Sequence, residues 1–284
     1  MSQIRTVGIV GLGLIGGSMA KTIKKRTLCK ILAFDKNVET MRLAKDDGTI
    51  DGELSRKNLA ECDLVMIAIY PGAIIEWVKE HKDYFGENTI LVDLCGIKRD
   101  VVNALLPISK EAGFKYVGGH PMAGKEVAGF KNASNFLYRD ASMILTPDET
   151  VDEETMYVLK SFYLSLGFGE IVISTPEEHD RIISYTSQLA HITSSAYIKS
   201  PTSRQRMGFT AGSYKDMTRV ARLDPDMWTE LFMDNRENLE YELQELVDNL
   251  TEYLDALKEG DAHQLRKLLA EGCELKLTEP IENC

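Results

Sequence analysis

One hexapeptide constrains this chain more than anything else in it. Gly11-Leu12-Gly13-Leu14-Ile15-Gly16 follows directly on the apolar run Thr6-Val7-Gly8-Ile9-Val10 and precedes a helical stretch from Ser18 to Lys25. A strand, a glycine-rich turn and a helix in that order open a dinucleotide-binding βαβ unit. Gly11 permits the tight turn, Gly13 lets backbone approach a pyrophosphate, and Gly16 allows close helix–strand packing. The diphosphate then rests on the positive end of the helix, with Leu12, Leu14 and Ile15 in the same cradle. Asp35, 19 residues past Gly16 at the end of a second apolar run, is placed to hydrogen-bond the adenosine ribose hydroxyls. Its charge repels a 2′-phosphate, so NAD is expected over NADP, although Lys36 next door weakens that exclusion.

The runs that follow have the character of buried parallel strands. Ile31–Phe34, Leu64–Ile69 and Thr89–Val92 are nearly continuous in apolar residues, as expected when both faces of a sheet are covered. Tyr116–Gly118, Ser142–Thr146 and Ile171–Ile173 continue the series, with segments between them long enough for crossover helices. The fold class is therefore α/β, a doubly wound Rossmann-type parallel sheet over residues 1–173. From 174 to 284 the pattern is all helical. Thr175-Pro176-Glu177-Glu178 starts one helix, with Thr as N-cap and Pro at the first helical position. Asp224-Pro225 starts another, read as running unbroken to about Glu259 and stopped by Gly260. Its apolar stripe includes Trp228, Leu231, Phe232, Leu239, Leu243, Leu246, Leu250, Leu254 and Leu257. A rod of that length spans about 50 Å, and a homodimer interface is the natural cover for it. Asp261, with Gln264 three residues on, caps a last short helix.

Composition narrows the partners. The 284 residues carry 33 Lys+Arg against 44 Asp+Glu, a formal charge of −11. That excess of acid disfavours nucleic acid and anionic membranes, and no apolar run approaches the ~18–20 residues that span a bilayer. The five cysteines (Cys29, Cys62, Cys95, Cys273, Cys284) are odd in number and form no CxxC pair. Reduced thiols in a cytoplasm are the simplest reading, with no metal site expected.

Two local features point to chemistry. Gly118-Gly119-His120-Pro121-Met122-Ala123-Gly124 lies at the C-terminal end of an expected strand, the edge where open α/β sheets bind ligands. A neutral His120 there could take a proton from a substrate hydroxyl beside the nicotinamide; the alternative is a solvent-exposed loop histidine. Residues 199–222 hold Lys199, Arg204, Arg206, Lys215, Arg219 and Arg222 but only one acid, Asp216. So local a reversal of sign suits a small acidic ligand, since guanidinium grips carboxylate in a bidentate fork; a solvated basic face is the alternative. His191, in Ser187-Gln188-Leu189-Ala190-His191, reads by itself as a packed helical residue. His81, His179 and His263 sit among charged neighbours and read as surface residues.

Taken in order, the glycine fingerprint with Gly17-Ser18, Gly119-His120-Pro121-Met122-Ala123-Gly124, Ser187–His191 and Tyr214-Lys215-Asp216-Met217-Thr218-Arg219 closely resemble the prephenate dehydrogenase family over nearly the whole chain. The resemblance implies NAD-dependent oxidative decarboxylation of prephenate to 4-hydroxyphenylpyruvate in tyrosine biosynthesis. It implies His120 as the catalytic histidine, His191 as a second active-site histidine and Arg219 as the grip on a substrate carboxylate. Lys215, Asp216, Glu126 and Trp228 match positions that form or line the charged rim of the pocket. A dimer built from the helical domain is implied as well. Two positions depart from the family's pattern. Gly96 stands where relatives commonly have a serine that reaches the substrate–nicotinamide region, and Lys125 where Ser or Thr is common. Arogenate, the related amino acid, is thus an alternative substrate. Other readings are a β-hydroxyacid dehydrogenase of similar plan and a non-enzymatic NAD-binding sensor. With the fingerprint beginning at Gly11 and residue 284 just past the last helix, neither an N-terminal chorismate mutase segment nor a C-terminal regulatory domain is expected. Any feedback by tyrosine is then expected at the active site itself.

Overall fold

The computed structural model describes residues 4–279, so that Cys284 lies outside the described residues. Eight strands form one sheet: β1 (Thr6–Val10), β2 (Lys30–Phe34), β3 (Gly52–Glu53), β4 (Leu64–Ile67), β5 (Ile90–Asp93), β6 (Lys115–Pro121), β7 (Ser142–Thr146) and β8 (Glu170–Ile173). Their order is β3-β2-β1-β4-β5-β6-β7-β8. Helices α1 (Leu14–Arg26), α2 (Val38–Asp46), α3 (Pro71–His81), α4 (Arg99–Ala112) and α5 (Glu153–Ser165) alternate with the strands. The continuous apolar runs have a simple cause. Successive side chains point to opposite faces of the sheet, and both faces are covered. On β4, Leu64 and Met66 enter one core cluster while Val65 and Ile67 enter the other.

Two details of the sheet differ from the sequence reading. It is mixed, because β7 runs antiparallel to β6, with His120 opposite Ile144. The two-residue β3 is too short to leave a pattern in the sequence. Elsewhere the doubly wound order holds, and it reverses direction between β1 and β4. Loops at the C-terminal ends of those two strands therefore border the crevice in which such sheets bind ligands.

The helical region comprises α6 (Pro176–Ile183), a π-helical segment at Ser184–Leu189, α7 (Ala190–Ile198), α8 (Gly212–Thr218), α9 (Pro225–Asp234), α10 (Arg236–Glu259) and α11 (Ala262–Thr278). The expected caps are in place: Thr175 accepts from the Glu178 N–H, Asp224 from Met227, and Asp261 from Gln264. The long second helix is not continuous. It breaks at Asn235 (φ −114°, ψ 26°), where α9 ends and α10 begins. Asn235 is fully buried and its side-chain amide donates to the Asp180 carbonyl and to Gln188 Oε1, each at 2.8 Å. Those long-range bonds fix the residue outside helical geometry. The last helix, α11, is 17 residues rather than short.

By packing, the described residues up to Asn235 form one compact unit and those from Arg236 a second. In the first, α6 to α9 belong with the sheet. In the second, α10 and α11 are joined at Gly260 (φ 68°), and Tyr253 donates to the Leu268 carbonyl at 3.1 Å. Tyr241, Val247, Leu250, Leu254 and Leu257 of α10 and Leu269, Leu275 and Leu277 of α11 remain exposed. Cys29, Cys62, Cys95 and Cys273 are free thiols. Among the described residues, no helix is long and apolar enough to cross a membrane.

Candidate active site

The glycine turn behaves as its spacing implies. Gly11 has φ +86°, a left-handed conformation that favours glycine, and a Cβ there would lie 2.6 Å from the Ala68 carbonyl at the end of β4. At Gly16 a Cβ would collide with the Gly11 carbonyl. Gly13 is different: nothing lies within 4 Å of the space a Cβ would fill. This residue is also the N-cap of α1, it offers no side-chain cap, and the first turn carries no acid. The helix N-terminus thus keeps unspent N–H donors facing open space, which fits the diphosphate of a dinucleotide. Asp35 Oδ2 accepts from the Leu12 N–H at 2.7 Å and Oδ1 from the Asn37 N–H at 2.8 Å. The carboxylate at the end of β2 therefore fastens the glycine loop and stands at its rim.

His120 is the penultimate residue of β6, half-buried, and its Nδ1 lies 2.9 Å from Nε2 of His179. His179 Nδ1 in turn lies 2.7 Å from Asp180 Oδ1. Asp180 is itself tied down: its two carboxylate oxygens accept from the backbone N–H groups of Lys98 (2.7 Å) and Arg99 (2.8 Å), at the start of α4. A carboxylate at a helix N-terminus gains from both the free N–H groups and the dipole. Here the residue doing so comes from α6, far along the chain. His179, expected at the surface, is 2% exposed. Its charged neighbours in sequence concealed a buried histidine because Asp180 faces inward with it. Beneath them, Lys98 and Asp93 form an ion pair with both side chains fully buried, and Tyr116 donates to the other Asp93 oxygen at 2.8 Å. Burial holds His120 well below the ordinary imidazole value, and His179 and Lys98 push in the same direction. Burial also lowers His179, opposed by its bond to Asp180. Both rings are neutral at pH 7.

Gly96, in the loop after β5, borders this histidine. A Cβ there would be 4.0 Å from His120 Nε2 and 3.8 Å from Leu231. The ring nitrogen not used by His179 thus faces a small gap roofed by α9.

A second cluster gathers around His191. The Ser187–His191 motif begins in the last residues of the π-helical segment, a distortion that recurs at functional sites, and His191 itself lies in the first turn of α7. His191 Nδ1 donates to the Ser187 carbonyl at 2.8 Å, and the ring packs against Trp228 of α9 at 4.0 Å between centroids, tilted by 31°. Partial burial lowers its basicity; the Arg219 cation acts in the same sense and Glu126 against it. Arg219 Nη1 donates to Glu126 Oε1 at 2.6 Å, with the guanidinium largely exposed. Four of the expected residues, His191, Trp228, Arg219 and Glu126, therefore share one neighbourhood. Lys215 and Asp216 are exposed on α8, four and three residues before Arg219. The two clusters are linked through α9, which presents Leu231 to Gly96 and Trp228 to His191, while Gln188 Nε2 donates to the Leu231 carbonyl at 3.0 Å.

Of the remaining histidines, His263 is exposed as expected. His81 is half-buried, stacked on Trp77 at 4.2 Å, so it is not a plain surface residue either.

Known proteins match this arrangement along its length. The family model described as the prephenate dehydrogenase nucleotide-binding domain matches residues 19–173, and that described as the prephenate dehydrogenase dimerization domain matches residues 175–271. A prephenate dehydrogenase of Bacillus subtilis is 29% identical, covering 93% of this chain and 74% of its own length. A cyclohexadienyl dehydrogenase of Zymomonas mobilis is 25% identical over 98% of this chain and 97% of its own. Among solved structures, prephenate dehydrogenase from Aquifex aeolicus in complex with hydroxyphenyl propionate and NAD+ superposes with a TM-score of 0.84 at 27% identity, covering 97% of this chain and 98% of that one. By the extent of the matched family models, this chain belongs to the prephenate dehydrogenase family of oxidoreductases.

Proposed function

We propose that this protein catalyses the NAD-dependent oxidative decarboxylation of prephenate to 4-hydroxyphenylpyruvate and CO2. The observation that carries the reading is His120: a neutral imidazole on the ligand-binding edge of the sheet, with one ring nitrogen engaged by His179 and the other beside the gap at Gly96. Bound NAD+ supplies the hydride acceptor. Gly11, Gly13, Gly16 and the start of α1 would hold its diphosphate, and Asp35 would take the adenosine ribose. His120 Nε2 accepts the proton of the ring hydroxyl as C4 loses hydride and becomes a carbonyl. Loss of the ring carboxylate as CO2 then restores aromaticity. That gain resides in the substrate, so the protein has only to orient the ring, polarise its hydroxyl and hold two carboxylates.

Arg219 holds one of those carboxylates in this reading. Its present partner is Glu126, so a substrate carboxylate competes with Glu126 for the same guanidinium. His191, packed against Trp228, lines the substrate side, and Lys215 and Asp216 set the charge of the rim. Residues 1–173 carry the cofactor together with His120 and Glu126, and 174–284 carry Arg219, His191, Trp228 and the dimer interface. The exposed apolar rows of α10 and α11 fit a homodimer built from two copies of this region, in line with the family's description of it as a dimerization domain.

The test is an assay of NADH formation at 340 nm with purified protein, offering prephenate and arogenate, each with NAD+ and NADP+. Fastest turnover with prephenate and NAD+ supports the reading. Turnover with arogenate alone reassigns the substrate, and turnover with neither removes the function.

A further inference from the structure

The side chains beneath His120 form a chain with a direction. Asp180 is an acceptor on both oxygens, already receiving the N–H groups of Lys98 and Arg99. Its contact with His179 Nδ1 at 2.7 Å therefore requires that nitrogen to carry the hydrogen. A neutral His179 then has only a lone pair at Nε2, and its 2.9 Å contact with His120 Nδ1 requires the hydrogen to lie on His120 Nδ1. Neutral His120 is left with a lone pair at Nε2, the nitrogen that faces the gap beside Gly96.

We propose that His179 and Asp180 are positioning residues that hold His120 in the one neutral tautomer able to accept a proton at Nε2. This deepens the proposed dehydrogenase reading and rests on it for its catalytic consequence, but the tautomer itself follows from the hydrogen-bond chain alone. The chain ends at the N-terminus of α4 in a side chain that is 1% exposed, so it sets direction and leads no proton out to solvent. Charges from the neighbouring elements act on the two rings: Lys98 at the N-cap of α4, paired with Asp93 of β5, and Asp180 on α6. The buried cation Lys98 disfavours protonating either ring, which helps keep both in the neutral form the chain requires. Once Nε2 takes the substrate proton, the Nδ1 hydrogen already points at His179, so no ring has to turn.

Two variants separate this role from simple packing. His179→Phe keeps an aromatic ring in the buried site and removes the acceptor, whereas His179→Gln can present a carbonyl oxygen near the position of the lost Nε2. The readouts are the ring-nitrogen chemical shifts of His120 in 15N-labelled protein without substrate, and kcat, KM and the pH profile with prephenate. The wild type is expected to show His120 protonated at Nδ1 and not at Nε2. In His179→Phe the Nε2-protonated form appears and kcat falls on the order of 10²-fold with KM little changed, the range for loss of a general base. His179→Gln recovers most of that loss. A wild-type spectrum with hydrogen on His120 Nε2 overturns the proposal, as do equal losses of kcat in both variants with unchanged His120 shifts. Because the spectra need no substrate, failure of the prephenate reading and failure of the tautomer assignment show up in different measurements.

Discussion

Gly13 and Gly16 lie three residues apart in one motif, yet the structure assigns them different physical tasks, and alanine at each position separates the two. A methyl at Gly13 meets no protein atom within 4 Å, and the residue sits at φ −67°, which alanine adopts without strain. Folding should therefore be unharmed or improved by about 0.4–1 kcal/mol through the less flexible unfolded chain. The same methyl enters the space where the diphosphate approaches the start of α1. Displacing it from one charge-assisted hydrogen bond costs about 1.5–3 kcal/mol, or roughly 10- to 150-fold in the NAD dissociation constant. At Gly16 the methyl collides with the Gly11 carbonyl and comes within 3.1 Å of the Ala68 side chain. There the backbone of the turn must move, costing about 1–3 kcal/mol of stability as well as affinity. Titration calorimetry with NAD+ and thermal denaturation of both variants provide the comparison. Gly13→Ala should melt as the wild type does and bind NAD+ weakly; Gly16→Ala should lose on both counts. If Gly13→Ala binds NAD+ as tightly as the wild type, the diphosphate does not pass that point and the cradle is misplaced.

Other perturbations test the rest of the site. Replacing His120 with Asn should lower kcat by roughly 10²–10⁴ while leaving NAD+ binding intact, as measured by turnover and calorimetry. Arg219→Ala should mainly raise the KM for prephenate by about 10- to 150-fold, corresponding to one lost charged hydrogen bond of about 1.5–3 kcal/mol; a wild-type KM shows that the arginine is elsewhere occupied. Asp35→Ala should loosen the Leu12 loop and lower NAD+ affinity while shifting the NAD/NADP preference toward NADP, read from dissociation constants for both. Since His120 is held well below 6.5, kcat/KM should stay level as the pH falls from 8 and drop only well below 6.5. Stability follows the same groups: the unfolded chain takes up protons on these histidines near pH 6.5 and the folded one does not, so stability is full above about 6.5 and declines below it. An acid limb at or above 6.5 contradicts a buried neutral His120.

Much of this was legible in the residues because the physics involved is local. The glycine fingerprint, the apolar strands buried on both faces, and the Thr175, Asp224 and Asp261 caps depend on neighbours a few residues away. What escaped depends on partners far along the chain. His179 lies among Glu177, Glu178, Asp180 and Arg181, and only the distant N-terminus of α4 makes that charged stretch face inward. A histidine directly followed by a buried, N-capping aspartate has no periodic signature of its own. Asn235 did leave a trace: it falls between Leu231 and Leu239 at four-residue spacing, a polar residue on an apolar stripe. Such a residue needs a buried partner, and Asp180 and Gln188 provide it at the cost of the helix. The antiparallel course of β7 was hidden for another reason, since a short apolar run looks the same in either direction.

The account stands on a neutral imidazole and a guanidinium acting on one bound ring. A crystal structure of this protein with NAD+ and 4-hydroxyphenylpyruvate measures that directly. It should place the ring oxygen within about 3.2 Å of His120 Nε2, the ring carbon that bears it against the nicotinamide, and the side-chain carboxylate on Arg219. A ligand whose ring oxygen turns away from His120, or whose carboxylate binds in a cavity that Arg219 does not reach, contradicts it.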